Sequence, residues 1–319
     1  MRSMKRSKQS TTTNLLPHRK LKRMLWMWFI LVLPSLLSAQ TTSPQPTATK
    51  ITFENVSYGE HPNQVIDFWQ ANVKGPAPLV IFIHGGGFTG GSHDKVSEEK
   101  VQAYLDAGIH HASIEYRFLK HAQFPAPHED AVRALQFIRS KANAWGIDKN
   151  HIAAYGGSAG AQLVAYLAWA DDFADSDSKD PISRESSRLT AVAPIGGQST
   201  LDLDWWVEHI PGYDRNFHGD NKHGDLSKIE QRALVRELSI IHHISSDDPP
   251  TFMSYGMHPE DPIPSNPKRA RGWSIHHVNF GIALEEKLRD EGVAVFLKYP
   301  DVQVPFENDT AFLMHHLTR

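Results

Sequence analysis

Two apolar runs in this chain end in glycine clusters: Pro78 to Ile83 leads into His84-Gly85-Gly86-Gly87, and His151 to Tyr155 leads into Gly156-Gly157-Ser158-Ala159-Gly160. A G-x-S-x-G pentapeptide directly after a strand has the spacing of a nucleophile elbow. The flanking glycines let the chain reverse between strand and helix and hold the serine hydroxyl at the top of a sheet. A triple glycine after a second strand offers backbone N–H groups to an oxyanion. Either cluster alone is compatible with an ordinary tight turn. Both together, each after a strand-like run, predict a parallel-sheet scaffold with a serine nucleophile at Ser158.

The rest of the chain alternates strand-like and helix-like segments, which predicts an α/β fold: a mostly parallel twisted sheet with helices on both faces. Residues 51–58 and 65–69 read as an opening antiparallel pair around the turn at 59–63, and 79–83 as the first buried strand. A helix over 97–107 stops at Gly108 before a strand at 109–116, and a helical repeat over 128–145 stops at Gly146. Beyond the elbow, a helix is expected at 159–170, strands at 189–195, 251–255 and 293–299, and helices at 280–291 and 310–317. The polar, aromatic-rich stretch 198–247 follows the sixth strand and reads as a short lid insertion, with Trp205, Trp206, Tyr213 and Phe217 either stacking on a substrate ring or packing the insertion down.

With 319 residues and 40% hydrophobic content, one large core suffices, and the absence of cysteine excludes disulfides, thiolate metal sites and a cysteine nucleophile. Residues 1–39 hold eight Lys or Arg and no acid, which leaves 25 basic against 36 acidic residues for the remainder. A body that acidic has no electrostatic reason to bind nucleic acid or an anionic membrane. The basic start, the apolar run Leu25 to Leu33 and the small pair Ser38-Ala39 read as a signal peptide over 1–39, cleaved near Ala39. Its apolar stretch is short for a membrane span, so export to the periplasm or the outside is expected. Residues 40–50 then form a flexible leader to one domain over 51–319.

The pairing of His84-Gly85-Gly86-Gly87-Phe88 with Gly156-Gly157-Ser158-Ala159-Gly160 resembles the hormone-sensitive-lipase-like esterases of the alpha/beta-hydrolase fold. Residues 124–131, 145–148 and 247–250 are similar to phrases of the feruloyl and acetyl xylan esterase group within it. Asp130, Asp148 and Asp248 in those phrases sit at element entries, where a carboxylate caps backbone N–H groups. The resemblance implies an exported carboxylic ester hydrolase acting on short-chain or carbohydrate esters, small or polymeric. Ser158 would attack, and the N–H groups of Gly86, Gly87 and Ala159 would hold the oxyanion. It also implies an acid after the strand at 251–255, for which Asp261 is the choice and Glu260 the alternative.

One departure stands out: the loop after the last strand, 301–309, contains no histidine, although the family pattern places the catalytic base there. His315 and His316 fall in the C-terminal helix. His276 and His277 precede a helix start, a position that lies on the carboxyl-end rim of a parallel sheet, so the base is expected there, with His277 the choice. The 19 histidines include four adjacent pairs, but sequence neighbours point apart and no H-E-x-x-H is present, so no catalytic metal and no cofactor are expected. Two other readings remain open: a pseudo-hydrolase that binds without turnover, and a serine peptidase on the same fold.

Overall fold

The computed structural model describes residues 49–214 and 232–318. The expected signal peptide, most of the expected leader and Phe217 lie outside these residues. An eight-stranded sheet forms the centre, in the order β1-β2-β4-β3-β5-β6-β7-β8. The strands are β1 (Phe53–Ser57), β2 (Val65–Trp69), β3 (Ala77–Ile83), β4 (His110–Ile114), β5 (Ile147–Gly157), β6 (Ala191–Ile195), β7 (Thr251–Ser254) and β8 (Val295–Lys298). β2 runs antiparallel to both β1 and β4, and every pairing from β4 to β8 is parallel.

The sheet is covered on both sides because its central strands bury apolar side chains on both faces. Leu79, Ile81 and Ile83 of β3, with Ile152 and Ala154 of β5, join one core; Val80, Ala153 and Tyr155 join the other. Helices α2 (Ala126–Ser140), α3 (Ala142–Trp145) and α4 (Ala159–Trp169) pack in the first core. Helices α1 (Glu98–Asp106) and the C-terminal Asp309–Leu317 segment pack in the second, through Tyr104, Phe312, Leu313 and Leu317. Two short helices, α5 (Leu203–His209) and α6 (Arg232–Leu238), lie between β6 and β7 in the stretch read as a lid; α7 (Pro267–Ser274) and α8 (Asn279–Asp290) lie between β7 and β8; the C-terminal helix is α9.

Strand order reverses direction at β3. The chain leaves β3 for β4 on one side and then crosses to β5 on the other, so the carboxyl ends of β3 and β5 form the topological switch point at which open α/β sheets place their ligand sites. Both glycine clusters of the sequence sit at these ends.

The expected elements are present in the expected order, with differences: β5 begins at Ile147 rather than His151, the helix expected over 128–145 is divided into α2 and α3, and α5, α6 and α7 are additional. α7 carries ordinary start signals: the Asn266 side chain accepts from the Arg269 N–H and Pro267 occupies the first turn. Within the described residues, the aromatics of the expected lid pack inward. Trp206 is buried, its indole N–H donates to the Thr200 carbonyl, and its ring meets Tyr213 and Phe280, while Trp205 stacks on His209.

His111 and His128 are fully buried on opposite faces of the sheet. Burial, helped by Lys100, pushes the His111 imidazole down to about 3, and burial pushes His128 down to about 4 against the hydrogen bond to Gln162. Both lie below the ordinary value of 6.5, so the unfolded chain takes up protons that the folded one refuses. Their contribution to stability is complete above about pH 6.5 and is lost as pH falls toward the folded values. The urea midpoint is therefore expected to drop between pH 7.5 and pH 5, and to drop less in His128→Gln, which keeps a donor for Gln162 without titrating. An equal drop in wild type and variant would contradict this.

Candidate active site

Ser158 links β5 to α4 in a conformation that side chains rarely adopt, φ 55° and ψ −122°. Such a backbone costs on the order of 1–3 kcal/mol and persists only where the surroundings impose it. Here they do: the Ser158 N–H donates to the Ile195 carbonyl of β6, and α4 starts at the next residue. The hydroxyl is thereby held off the sheet end at the head of a helix.

The two glycine clusters are in backbone contact. A Cβ on Gly160 would lie 2.0 Å from the Ile83 carbonyl oxygen and 2.6 Å from that of His84, and one on Gly85 would lie 2.5 Å from the Gly157 carbonyl oxygen. Glycine is required at these positions because one main chain crosses another at atomic contact. The loop after β3 also folds on itself. Gly86 and Gly87 have φ of 125° and 60°, and a Cβ on Gly86 would meet the Gly90 carbonyl oxygen at 2.0 Å.

His84 anchors this loop. Its ring stacks on Tyr116 at 4.5 Å, and the Tyr116 hydroxyl donates to the His84 carbonyl. Its Nε2 lies 2.7 Å from Glu115 Oε1, and its Nδ1 2.7 Å from the Gly85 carbonyl. Burial disfavours the Glu115 anion, but hydrogen bonds from His84 and His93 outweigh that and bring the carboxyl down to about 2.

His276 Nε2 lies 2.9 Å from Ser158 Oγ, and its Nδ1 lies 2.8 Å from the Gly272 carbonyl oxygen. A carbonyl only accepts, so Nδ1 carries the proton and Nε2 is free to accept from the serine hydroxyl. The tautomer that a general base needs is thus fixed by main chain. It is His276 that faces Ser158, not the expected His277. The two leave the C-terminal turn of α7 in different directions. The His277 ring is fully buried, its Nδ1 accepts from the Asn279 N–H, and its Nε2 has no hydrogen-bond partner. Asp261 and Glu260 are drawn elsewhere: the Asp261 carboxylate accepts from the His258 backbone N–H, and Glu260 pairs with the His258 ring at 3.0 Å. The group orienting His276 is the Gly272 carbonyl, and no side-chain pattern in the sequence signals it.

Gly86, Gly87 and Ala159 lie on the loop and at the helix start that flank Ser158. Asp130, Asp148 and Asp248 serve the scaffold. Asp130 binds Arg117 through its guanidinium and backbone N–H, Asp148 accepts from Asn150 N–H, and Asp248 accepts from Ser245 N–H.

This strand order, with an elbow at the end of the fifth strand, is that of the alpha/beta-hydrolase fold. The chain belongs to the BD-FAE family, whose sequence model matches residues 67–265. The matched stretch holds Ser158 and the glycine loop; His276 lies beyond it. Among curated proteins, the chain is similar to Esterase LipC of Mycobacterium tuberculosis, 27% identical over 204 residues, covering 63% of this chain and 49% of that protein. It is 31% identical to Carboxylesterase NlhH of the same species over 173 residues, covering 47% of this chain and 50% of that protein. The chain thus spans about half the length of these relatives. Among solved structures, a truncated carbohydrate esterase from gut microbiota superposes with TM-score 0.65 at 19% identity, over 86% of this chain and 99% of that one. An acetyl ester-xyloside bifunctional hydrolase from Caldicellulosiruptor lactoaceticus superposes with TM-score 0.58 at 24% identity, over 74% and 77%.

The contact between the clusters makes a test of the local architecture. Gly160→Ala forces a Cβ against two carbonyl oxygens and is expected to destabilise the fold by about 1–3 kcal/mol. Gly256→Ala, where a Cβ meets nothing within 4 Å, is expected to change stability by less than about 0.5 kcal/mol. Equal urea midpoints for the two variants would contradict the contact.

Proposed function

We propose that this protein is an exported serine carboxylic ester hydrolase acting on short acyl groups carried by carbohydrates. The observation that carries the reading is the 2.9 Å approach of His276 Nε2 to Ser158 Oγ at the elbow, beside a glycine loop able to receive an oxyanion. Ser158 Oγ attacks the ester carbonyl carbon while His276 Nε2 takes its proton. Negative charge develops on the carbonyl oxygen, where the N–H groups of Gly86, Gly87 and Ala159 stabilise it, each donor contributing about 3–4 kcal/mol in comparable sites. The His276 imidazolium then protonates the departing alkoxide, leaving an acyl-enzyme. Water, deprotonated by His276, attacks the acyl carbon, and the proton returns to Ser158 as the acid leaves. The Gly272 carbonyl serves as orienter, so Asp261 and Glu260 take no part.

The substrate class rests on the named activities of the relatives and neighbours, among them a carbohydrate esterase and an acetyl ester-xyloside hydrolase. A short acyl group suits the polar stretch between β6 and β7. Export rests on the basic, apolar and small-residue order of residues 1–39, with the mature chain starting near Gln40.

Aryl acetate hydrolysis by separate variants tests the reading. Ser158→Ala and His276→Ala are expected to lower kcat by about 10⁴-fold or more, whereas Asp261→Asn should stay within about 10-fold of wild type. Rates should fall from acetate to palmitate esters. A folded wild-type protein without turnover would leave a pseudo-hydrolase, and a collapse of kcat in Asp261→Asn would restore a carboxylate to the relay.

A further inference from the structure

Beyond the glycine loop, the chain makes a short 3-10 turn at His93–Lys95 that brings its side chains against β1, β2 and β4. Four donor atoms converge there from three segments. His93 Nε2 lies 3.2 Å from Asn55 Oδ1, 3.5 Å from Asp67 Oδ2 and 3.5 Å from Asp94 Oδ1. The ligand atoms of His93, Asp67 and Asp94 all lie within 4.8 Å of one another. We propose that these four side chains bind a divalent transition-metal ion of the zinc or manganese type, distinct from the Ser158 site.

The spacing is what distinguishes an ion site from an ion pair. A buried imidazolium among carboxylates draws them to about 2.7–2.9 Å, as charge-assisted hydrogen bonds require. His84 and Glu115, one shell away, do stand at 2.7 Å. The two carboxylate contacts of His93 Nε2 are longer, 3.5 Å each, and the 3.2 Å contact to the Asn55 amide oxygen is a hydrogen bond that a metal ion would replace. Around a tetrahedral centre with bonds of about 2.0–2.1 Å, donor atoms are separated by about 1.63 times the bond, or about 3.3–3.4 Å. Separations of 3.2 and 3.5 Å bracket that value.

Each charged ligand is also held from behind, as metal ligands generally are. His93 Nδ1 faces Glu115 Oε2 at 3.4 Å, and Nε2 is the ring nitrogen turned toward the Asn55, Asp67 and Asp94 oxygens. Asp67 Oδ1 accepts from the Asn55 N–H at 2.7 Å, and Asp94 Oδ2 accepts from the Ser92 hydroxyl at 2.9 Å, so the other oxygen of each carboxylate is the one turned toward His93. Asp67 is 2% exposed, and its Oδ2 lies 3.5 Å from the nearest cation-capable group, beyond ordinary hydrogen-bond length. Two aspartates neutralise a divalent charge, the imidazole favours a transition metal such as zinc over calcium, the three oxygen donors admit manganese, and the exposed Asp94 side chain provides the way in. The reasoning from adjacent histidine pairs passes over this site because it uses a single histidine with oxygen donors. Through Glu115, bonded to His84 at 2.7 Å and facing His93 at 3.4 Å, the ion would tie down the return leg of the loop that carries Gly86 and Gly87.

The test needs no esterase assay. The full chain, stripped with a chelator and dialysed, is titrated with Zn²⁺, Mn²⁺ and Ca²⁺, with metal content and Tm measured. One Zn²⁺ or Mn²⁺ per chain is expected, with Tm rising by on the order of 5 °C at saturation. Asp94→Ala, altered at an exposed side chain, should keep the Tm of the stripped wild type and bind at least about 10-fold more weakly. Asp67→Asn should lose binding as well. Absence of stoichiometric metal, a response to Ca²⁺ alone, or undiminished binding in Asp94→Ala would overturn the proposal.

Discussion

The whole site depends on a contact between two stretches of main chain. β3 and β5 are neighbours at the point where strand order reverses, and their carboxyl-end extensions cross closely enough that Gly160 and Gly85 have no room for a methyl group. That contact decides where the Ser158 hydroxyl stands relative to the loop of Gly86 and Gly87. It also explains why Ser158 tolerates an unfavourable backbone: the chain must turn within one residue, from a strand hydrogen-bonded through Ile195 to a helix whose first turn abuts Ile83.

Around this crossing the fold spends polar side chains on rigidity. Glu115 at the end of β4 binds His84 at the start of the glycine loop and His93 at its return, while Tyr116 stacks on His84 and bonds to its carbonyl. Burial disfavours the Glu115 anion; hydrogen bonds from the two imidazoles reverse that balance. A buried carboxylate shared between two histidines is specific because each ring has one geometry in which it can reach the anion. The loop's position is therefore determined by side chains some residues away from the glycines themselves.

The sequence made the scaffold legible because its signals are local. Apolar runs of strand length, glycine helix stops and two glycine clusters after strands need no knowledge of distant neighbours. α7 was legible in principle, from Asn266 and Pro267, but its polar composition masked it. The proposed base was half legible. The histidine-free loop after β8 and the rim position of a helix start both pointed to residues 276–277. Which of the two faces Ser158 depends on how α7 ends, and a rotation of one residue at a helix terminus leaves no trace in composition or spacing. The orienting group was not legible at all. The search for a carboxylate led to Asp261 and Glu260, whereas His276 Nδ1 meets the Gly272 carbonyl, a group that every residue possesses and no motif marks.

Replacing a carboxylate by a carbonyl has a physical consequence. A carbonyl dipole orients the imidazole but stabilises the imidazolium less than a full negative charge would, so the relay relies more on geometry. The most direct measurement is a crystal structure of the protein after reaction with a small alkyl fluorophosphonate. The account predicts phosphorus bonded to Ser158 Oγ, the phosphoryl oxygen within hydrogen-bond reach of the Gly86, Gly87 and Ala159 N–H groups, and His276 beside it with Nδ1 still on the Gly272 carbonyl. An adduct on another residue, a different histidine beside the phosphorus, or a carboxylate moved onto His276 Nδ1 would contradict it.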